Sequence, residues 1–162
     1  MKKSVKMSCE KEQYVENIGI YFEQIGVPRM AGRILGYLLI CDPPHQSMQN
    51  IAEALQASKG AISTSSRMLI QSGIVDKKSF PKDRNDYFHI KSNAWSVHLK
   101  TQMSSVHHFK KVIRTGLKLL NDAPSDQKNR LQEMFDFYDW MDQEIPVLFE
   151  RWEQYKNKTK KQ

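Results

Sequence analysis

Between Ser58 and Gly73 the side chains on one side of a predicted helix are small, hydrogen-bonding or cationic, a combination suited to reading a nucleic-acid groove. At about 100° per residue, Ile62, Ser66 and Leu69 gather on the inward side. Gly60, Ser63, Thr64, Arg67 and Gln71 gather on the other, with Lys59 at the edge. Small residues admit close approach, hydroxyls meet base edges, and a guanidinium binds a guanine edge through two hydrogen bonds. Arg67 is therefore the side chain expected to contact a base. Ser58 and Lys59 stand at the helix N-terminus, where unpaired N–H groups favour a phosphate. A second cationic group, Lys77, Lys78, Lys82 and Arg84, surrounds the polar turn Pro81–Asn85. Its lysines suit phosphates and Arg84 suits a minor groove, while Asp83 is expected to orient the neighbouring arginine or the turn rather than act as an acid. A solvated polar surface would explain any one of these residues, but it explains less well the whole group.

Other chemistry finds less support. His107 and His108 are adjacent, with His98 nine residues earlier, but neighbours on a helix point about 100° apart and make a poor metal pair. A surface or interface role fits them better. Cys9 and Cys41 form no CxxC pair, and Cys41 at the end of an apolar segment reads as a small core residue. Without a glycine-rich phosphate loop, nucleophile elbow or paired-carboxylate motif, the expectation is no catalysis, no cofactor and no metal.

The elements that must position the first group follow from periodicity. Tyr14, Ile18, Tyr21, Phe22 and Ile25 mark one stripe of a helix over 11–25, stopped by Gly26. Pro28 opens a mostly apolar helix to about Cys41, in which Gly32 and Gly36 share a face that another helix could approach. Asp42-Pro43-Pro44 ends it. Ser47 caps a short helix with Met48, Ile51, Ala52 and Leu55, and Ser58 caps the next. Two short helices with a brief connection are a helix-turn-helix. The runs 74–80 and 87–90 around the charged turn read as a hairpin, the wing.

From Ser92 the pattern is helical. Leu99, Met103, Val106, Ile113, Leu117 and Leu120 form a heptad-like stripe with Lys110 at one seam position. After a break at Asn121–Asp126, the last helix carries Leu131, Phe135, Tyr138, Met141, Ile145, Leu148 and Trp152, with a kink expected at Pro146 and a second apolar face of Phe137 and Trp140. One helix with two apolar faces needs two partners, and the simplest second partner is another copy of the chain.

Charge is distributed to match. The chain has a formal net charge of +7, yet residues 58–91 carry seven Lys/Arg against three Asp, while 124–155 carry three against eight acids. Such asymmetry is the footprint of an anionic partner on one segment. The longest apolar run, Ile34 to Cys41, is too short to span a bilayer, no signal-like segment follows the N-terminal lysines, and a cytoplasmic protein without a membrane role is expected.

The segments 25–36 (IGVPRMAGRILG), 57–63 (ASKGAIS), 73–75 (GIV) and 82–88 (KDRNDYF) resemble MarR-type regulators, particularly the GbsR-like branch. The likeness covers roughly residues 11–91; the C-terminal helices match only in layout. It implies dimerisation through N- and C-terminal helices and an effector acting between dimer and DNA lobes. Ser58, Lys59, Ser63, Thr64, Arg67 and Arg84 are the positions that match its DNA-contacting elements. Choline-sensing members of that branch suggest an aromatic cage for a cation, for which Phe135, Tyr138, Trp140 and Trp152 are candidates, although packing is the commoner use of such residues.

The combined expectation is a mostly α (α+β) winged helix-turn-helix. It comprises a flexible start over 1–10, a DNA-binding domain over 11–91, helical dimerisation over 92–155 and a basic disordered tail over 156–162. Its expected action is to bind double-stranded DNA as a homodimer at a pseudo-palindromic site, repressing transcription under a small-molecule effector of unknown identity. The alternative is a winged-helix protein-interaction module without sequence-specific DNA binding.

Overall fold

Two glycines one helical turn apart decide how the first two helices meet. In the computed structural model, which describes residues 7–81 and 83–159, α1 (Cys9–Gln24) lies against α2 (Arg29–Ile40). A Cβ at Gly32 would sit 2.8 Å from both the Ile18 carbonyl oxygen and Phe22 Cβ, and one at Gly36 3.2 Å from Ile18 Cβ. The backbone of α1 thus rests on a glycine groove, as the spacing predicts. What differs is the face α1 presents. Val15 and Gly19 are buried, while Tyr14, Tyr21 and Ile25 of the expected stripe are exposed. A count of apolar side chains overlooks Gly19, yet it is Gly19 that lets the helices close, its α-carbon only 2.9 Å from where a Cβ at Gly32 would stand.

The start of α1 also lies earlier than expected. Ser8 caps it, accepting from the Lys11 N–H at 3.4 Å, and Met7 packs on the core, so residues 7–10 belong to the cap and start of α1. Ion pairs bind the helices at their polar edge. Arg29 meets Glu16 at 2.8 Å, and Arg33 pairs with the same carboxylate while donating to the Leu55 carbonyl at 3.0 Å. Arg33 thereby ties α1 and α2 to the end of α3.

α3 (Met48–Leu55) and α4 (Lys59–Gln71) are the helix-turn-helix. Each begins on its expected serine: Ser47 accepts from the Asn50 N–H at 3.1 Å, Ser58 from the Ala61 N–H at 3.2 Å. Gln56 closes α3 in the left-handed region at φ 49°. Behind α4, Gly73 takes φ 75°, where a side chain would be strained, and turns the chain into the wing. β2 (Val75–Ser79) pairs antiparallel with β3 (Asp86–Ile90), whose other edge pairs with β1 (Gln46–Ser47) in the order β1–β3–β2. β1 has only two residues, too few for any periodicity, and was not foreseen. Leu35, Ile51, Ile62, Leu69 and Phe88, from three helices and the sheet, fill one core with negligible exposure.

A second unit begins at Ser96, four residues after the expected boundary, inside α5 (Ala94–Leu119), and includes α6 (Ser125–Thr159). Contacts between Lys100 and Phe149, Phe109 and Tyr138, and Gly116 and Leu131 run in opposite chain directions, so the helices are antiparallel. Val106 and Ile113 are buried as their stripe predicts, while on α6 Phe149 is buried and its neighbour Leu148 exposed. Lys110, the odd residue of the stripe, is 13% exposed and lies 3.1 Å from Asp139 and 2.5 Å from Asp142. His107 joins Asp142 at 3.0 Å. The Lys110 ammonium and then His107 hold the Asp142 carboxyl below its ordinary value, and Asp142 and then Asp139 raise Lys110. α6 continues through Pro146 to Thr159, so residues 156–159 extend the helix instead of forming the expected tail; residues 160–162 lie outside those described. No helix among the described residues is long and apolar enough to cross a membrane.

Candidate nucleic-acid interface

The outward face of α4 is built by its inward one. Ile62, Ser65, Ser66 and Leu69 are buried, and at 3.6 residues per turn this fixes what points away. Lys59, Gly60, Thr64, Arg67 and Gln71 are exposed and Ser63 is half-buried at the margin. Met68, 41% exposed, adds an apolar side chain that the polar pattern did not suggest. Ser58 spends its hydroxyl oxygen on the cap, leaving the first turn's remaining N–H groups and Lys59 for an anion.

The wing cations divide into engaged and free. Lys77 pairs with Asp86 at 2.9 Å and lies 5.8 Å from the Phe88 ring centre; this bond and its charge hold Asp86 below the usual carboxylate value. Its charge is therefore largely matched within the hairpin, which weakens its expected part in phosphate binding. Lys78 sits 5.1 Å over the Phe80 ring, a cation–π contact that leaves the ammonium on an exposed residue. Arg84 is exposed and makes no hydrogen bond or ion pair among the described residues. Lys82 lies outside the described residues.

Asp83 does not pair with Arg84. Its Oδ1 accepts the Asn85 backbone N–H and side-chain amide, both at 2.9 Å, and its Oδ2 accepts the Tyr87 hydroxyl at 2.6 Å. Those bonds, led by Tyr87, lower the Asp83 carboxyl and raise the Tyr87 phenol. Of the two roles open to Asp83 from sequence, orienting the turn is the one its geometry takes. Between wing and helices lies a cleft of about 330 Å³ lined by Lys59, Arg84, Asn85 and Gln49, so the first turn of α4 and the wing tip share one surface. Gln49 was missed because nothing in α3 marks its outward residues as different from solvated ones. His45 was missed too: its ring lies 4.9 Å from Phe80 and 5.4 Å from Tyr87, a contact that only pairing of β1 with β3 creates.

The candidate aromatic cage does not assemble. Phe135 receives Arg114 at 5.4 Å and Tyr138 packs on Phe109 at 5.0 Å, both facing α5. Trp140 lies five residues past Phe135, well round the helix, and is 58% exposed beside Phe137; Trp152 stacks on Tyr155. The four serve different faces. Among the described residues no group of histidine, cysteine and carboxylate side chains is arranged to hold a metal. Burial pushes the Cys41 thiol up, away from the reactive thiolate.

Residues 93–155 match the family of MmpR5-like MarR family transcriptional regulators. The HTH-type transcriptional regulator MmpR5 of Mycobacterium tuberculosis is 38% identical over 142 residues, covering 88% of this chain and 86% of its own. A crystal structure of a transcriptional regulator superimposes with a TM-score of 0.76 at 37% identity, covering 90% of this chain and 99% of that one.

Proposed function

Because the chain belongs to the MmpR5-like MarR family of winged-helix, DNA-binding transcriptional regulators, and not to a family of enzymes, we propose that it represses transcription as a homodimer on a pseudo-palindromic operator. The observation that carries this reading is the shared surface of α4 and wing, where Lys59, Arg67 and Arg84 are exposed on a scaffold held from beneath. Arg67, with Thr64 and Ser63, reads base edges in the major groove. Ser58, Lys59, Gly60 and Lys78 meet the backbone, and Arg84 enters the adjacent minor groove. Lys82 strengthens the field around the wing, and Lys77 takes the smaller part that its pairing with Asp86 leaves it. A two-fold axis sets the recognition helices about 34 Å apart, one helical turn of DNA.

The exposed apolar residues of α5 and α6 support the dimer, since Val112, Phe137, Trp140 and Leu148 are each more than half exposed. A small-molecule effector that alters the spacing of the recognition helices completes the reading. Of the four aromatics considered for it, Trp140 and Trp152 are the ones open to a ligand or a second copy. The likeness to the GbsR-like branch supports a common plan for helix entry, recognition helix and wing, in residues 25–36, 57–63 and 82–88.

Fluorescence anisotropy with DNA from upstream of the protein's own gene, against a scrambled duplex at two salt concentrations, tests the reading. Arg67→Ala is expected to weaken the preferred interaction by about 1–3 kcal/mol and to relax sequence preference. Binding that ignores sequence, disappears with salt and is indifferent to the substitution would leave only a basic surface, and would favour a protein-interaction module.

A further inference from the structure

We propose that Tyr87 is a positioning residue for Arg84, locking the turn at the wing tip so that Arg84 is presented to the minor groove from an ordered backbone and without pairing to Asp83. The inference rests on the DNA reading above and adds to it a residue that touches no DNA.

An aspartate directly before an arginine at an exposed turn has an obvious partner in that arginine, and such a pair would cancel the charge DNA needs. Here both Asp83 oxygens are taken elsewhere. Oδ1 holds the backbone and side chain of Asn85 at 2.9 Å each, and Oδ2 holds the Tyr87 hydroxyl at 2.6 Å. The donors come from residues just past Arg84, so the turn is stapled across it while its guanidinium has no hydrogen bond or ion pair among the described residues. A hydroxyl bound to a carboxylate at this length is among the stronger kinds of hydrogen bond.

The phenol is itself fixed. Its ring stands edge-on to Phe80 at 5.1 Å and to His45 at 5.4 Å, and His45 lies 4.9 Å from Phe80. Tyr87 pairs across the sheet with Ser47, which caps α3, and with Lys78 on β2. A line of contacts therefore runs from the helix-turn-helix through β1 and the aromatic trio to Asp83. Without the hydroxyl, Asp83 Oδ2 is released to take the neighbouring guanidinium, and the turn must be ordered when DNA binds. Both effects weaken binding through the wing alone.

The test is a double-mutant cycle in the full-length protein, read by anisotropy on the preferred and scrambled duplexes. Tyr87→Phe keeps the ring and removes only the hydroxyl. It is expected to weaken operator binding about three- to tenfold in a protein that remains folded by circular dichroism. In an Arg84→Ala background the same change is expected to alter affinity less than about twofold, because its effect passes through Arg84. Independent multiplication of the Tyr87→Phe and Arg84→Ala losses would overturn the proposal, as would wild-type affinity in Tyr87→Phe. Should the wild type itself show no operator preference and Arg67→Ala no effect, the DNA reading falls and takes this inference with it. Preserved preference with a silent Tyr87→Phe removes this inference alone.

Discussion

Up to Trp95, fifteen apolar residues are buried in one continuous core, whereas from Ser96 onward only Val106, Ile113 and Phe149 are buried among the described residues. The difference follows from geometry. Four helices and a sheet surround a shared interior, but two antiparallel helices share only a seam, and any further apolar face must look outward. In the second unit that face carries Trp140, Leu148 and Tyr155, each more than half exposed. The first unit closes a core within one chain and shows a polar, cationic face on α4 and the wing, while Tyr21 and Ile25 of α1 remain more than half exposed. The second shows unspent apolar surface, which suits another copy of the chain.

This contrast can be broken by substitution. The largest effect belongs to the first core: Leu35→Ala is expected to cost about 2–5 kcal/mol in denaturant unfolding, because a fully buried side chain leaves a cavity. A loss below that range would show a core less finished than it looks. Gly32→Ala should cost about 1–3 kcal/mol, since its methyl must displace a carbonyl oxygen and a Cβ, both 2.8 Å away. A neutral result by thermal melting would mean that α1 and α2 can separate freely.

In the second unit the expected damage is to association. Trp140→Ser should loosen the proposed dimer about tenfold, or about 1.4 kcal/mol, in sedimentation equilibrium. Unchanged association would assign that face to another partner. Smaller again is Ser58→Ala, expected to cost about 1 kcal/mol through the lost cap on α4. Last comes pH. The folded Asp142 carboxyl lies below its ordinary 3.8, so its contribution is present above that value and is lost as pH falls through the depressed one. Acid melts followed by circular dichroism should show this loss, and Lys110→Met should flatten it.

Much of the fold was legible because local rules and tertiary packing agreed. Ser47 and Ser58 cap helices wherever those helices end up, and Gly73 turns the chain because glycine adopts φ 75° without strain. Ile62, Ser66 and Leu69 point inward by periodicity, which also sets Arg67 outward. The first helix was harder. Its contact face is centred on Gly19, and a method that counts apolar side chains gives a glycine no weight.

Lys110 and Lys77 show the same division for charge. Both are visible as cations, yet their neutralisation by Asp139 and Asp142, or by Asp86, depends on which strand or helix lies alongside. The aromatics of α6 look alike in sequence, and only their placement separates Phe135 and Tyr138, turned to α5, from exposed Trp140.

The amino-acid sequence by itself determined the order of the helices, the helix-turn-helix, the wing hairpin and the segment that carries positive charge, but not β1, because periodicity, caps and turn residues act over a few neighbours. Tertiary structure alone decided which charges stay free. Asp83 turns from Arg84 to Asn85 and Tyr87 through the folded geometry of the wing turn, and His45 reaches Tyr87 because β1 pairs with β3.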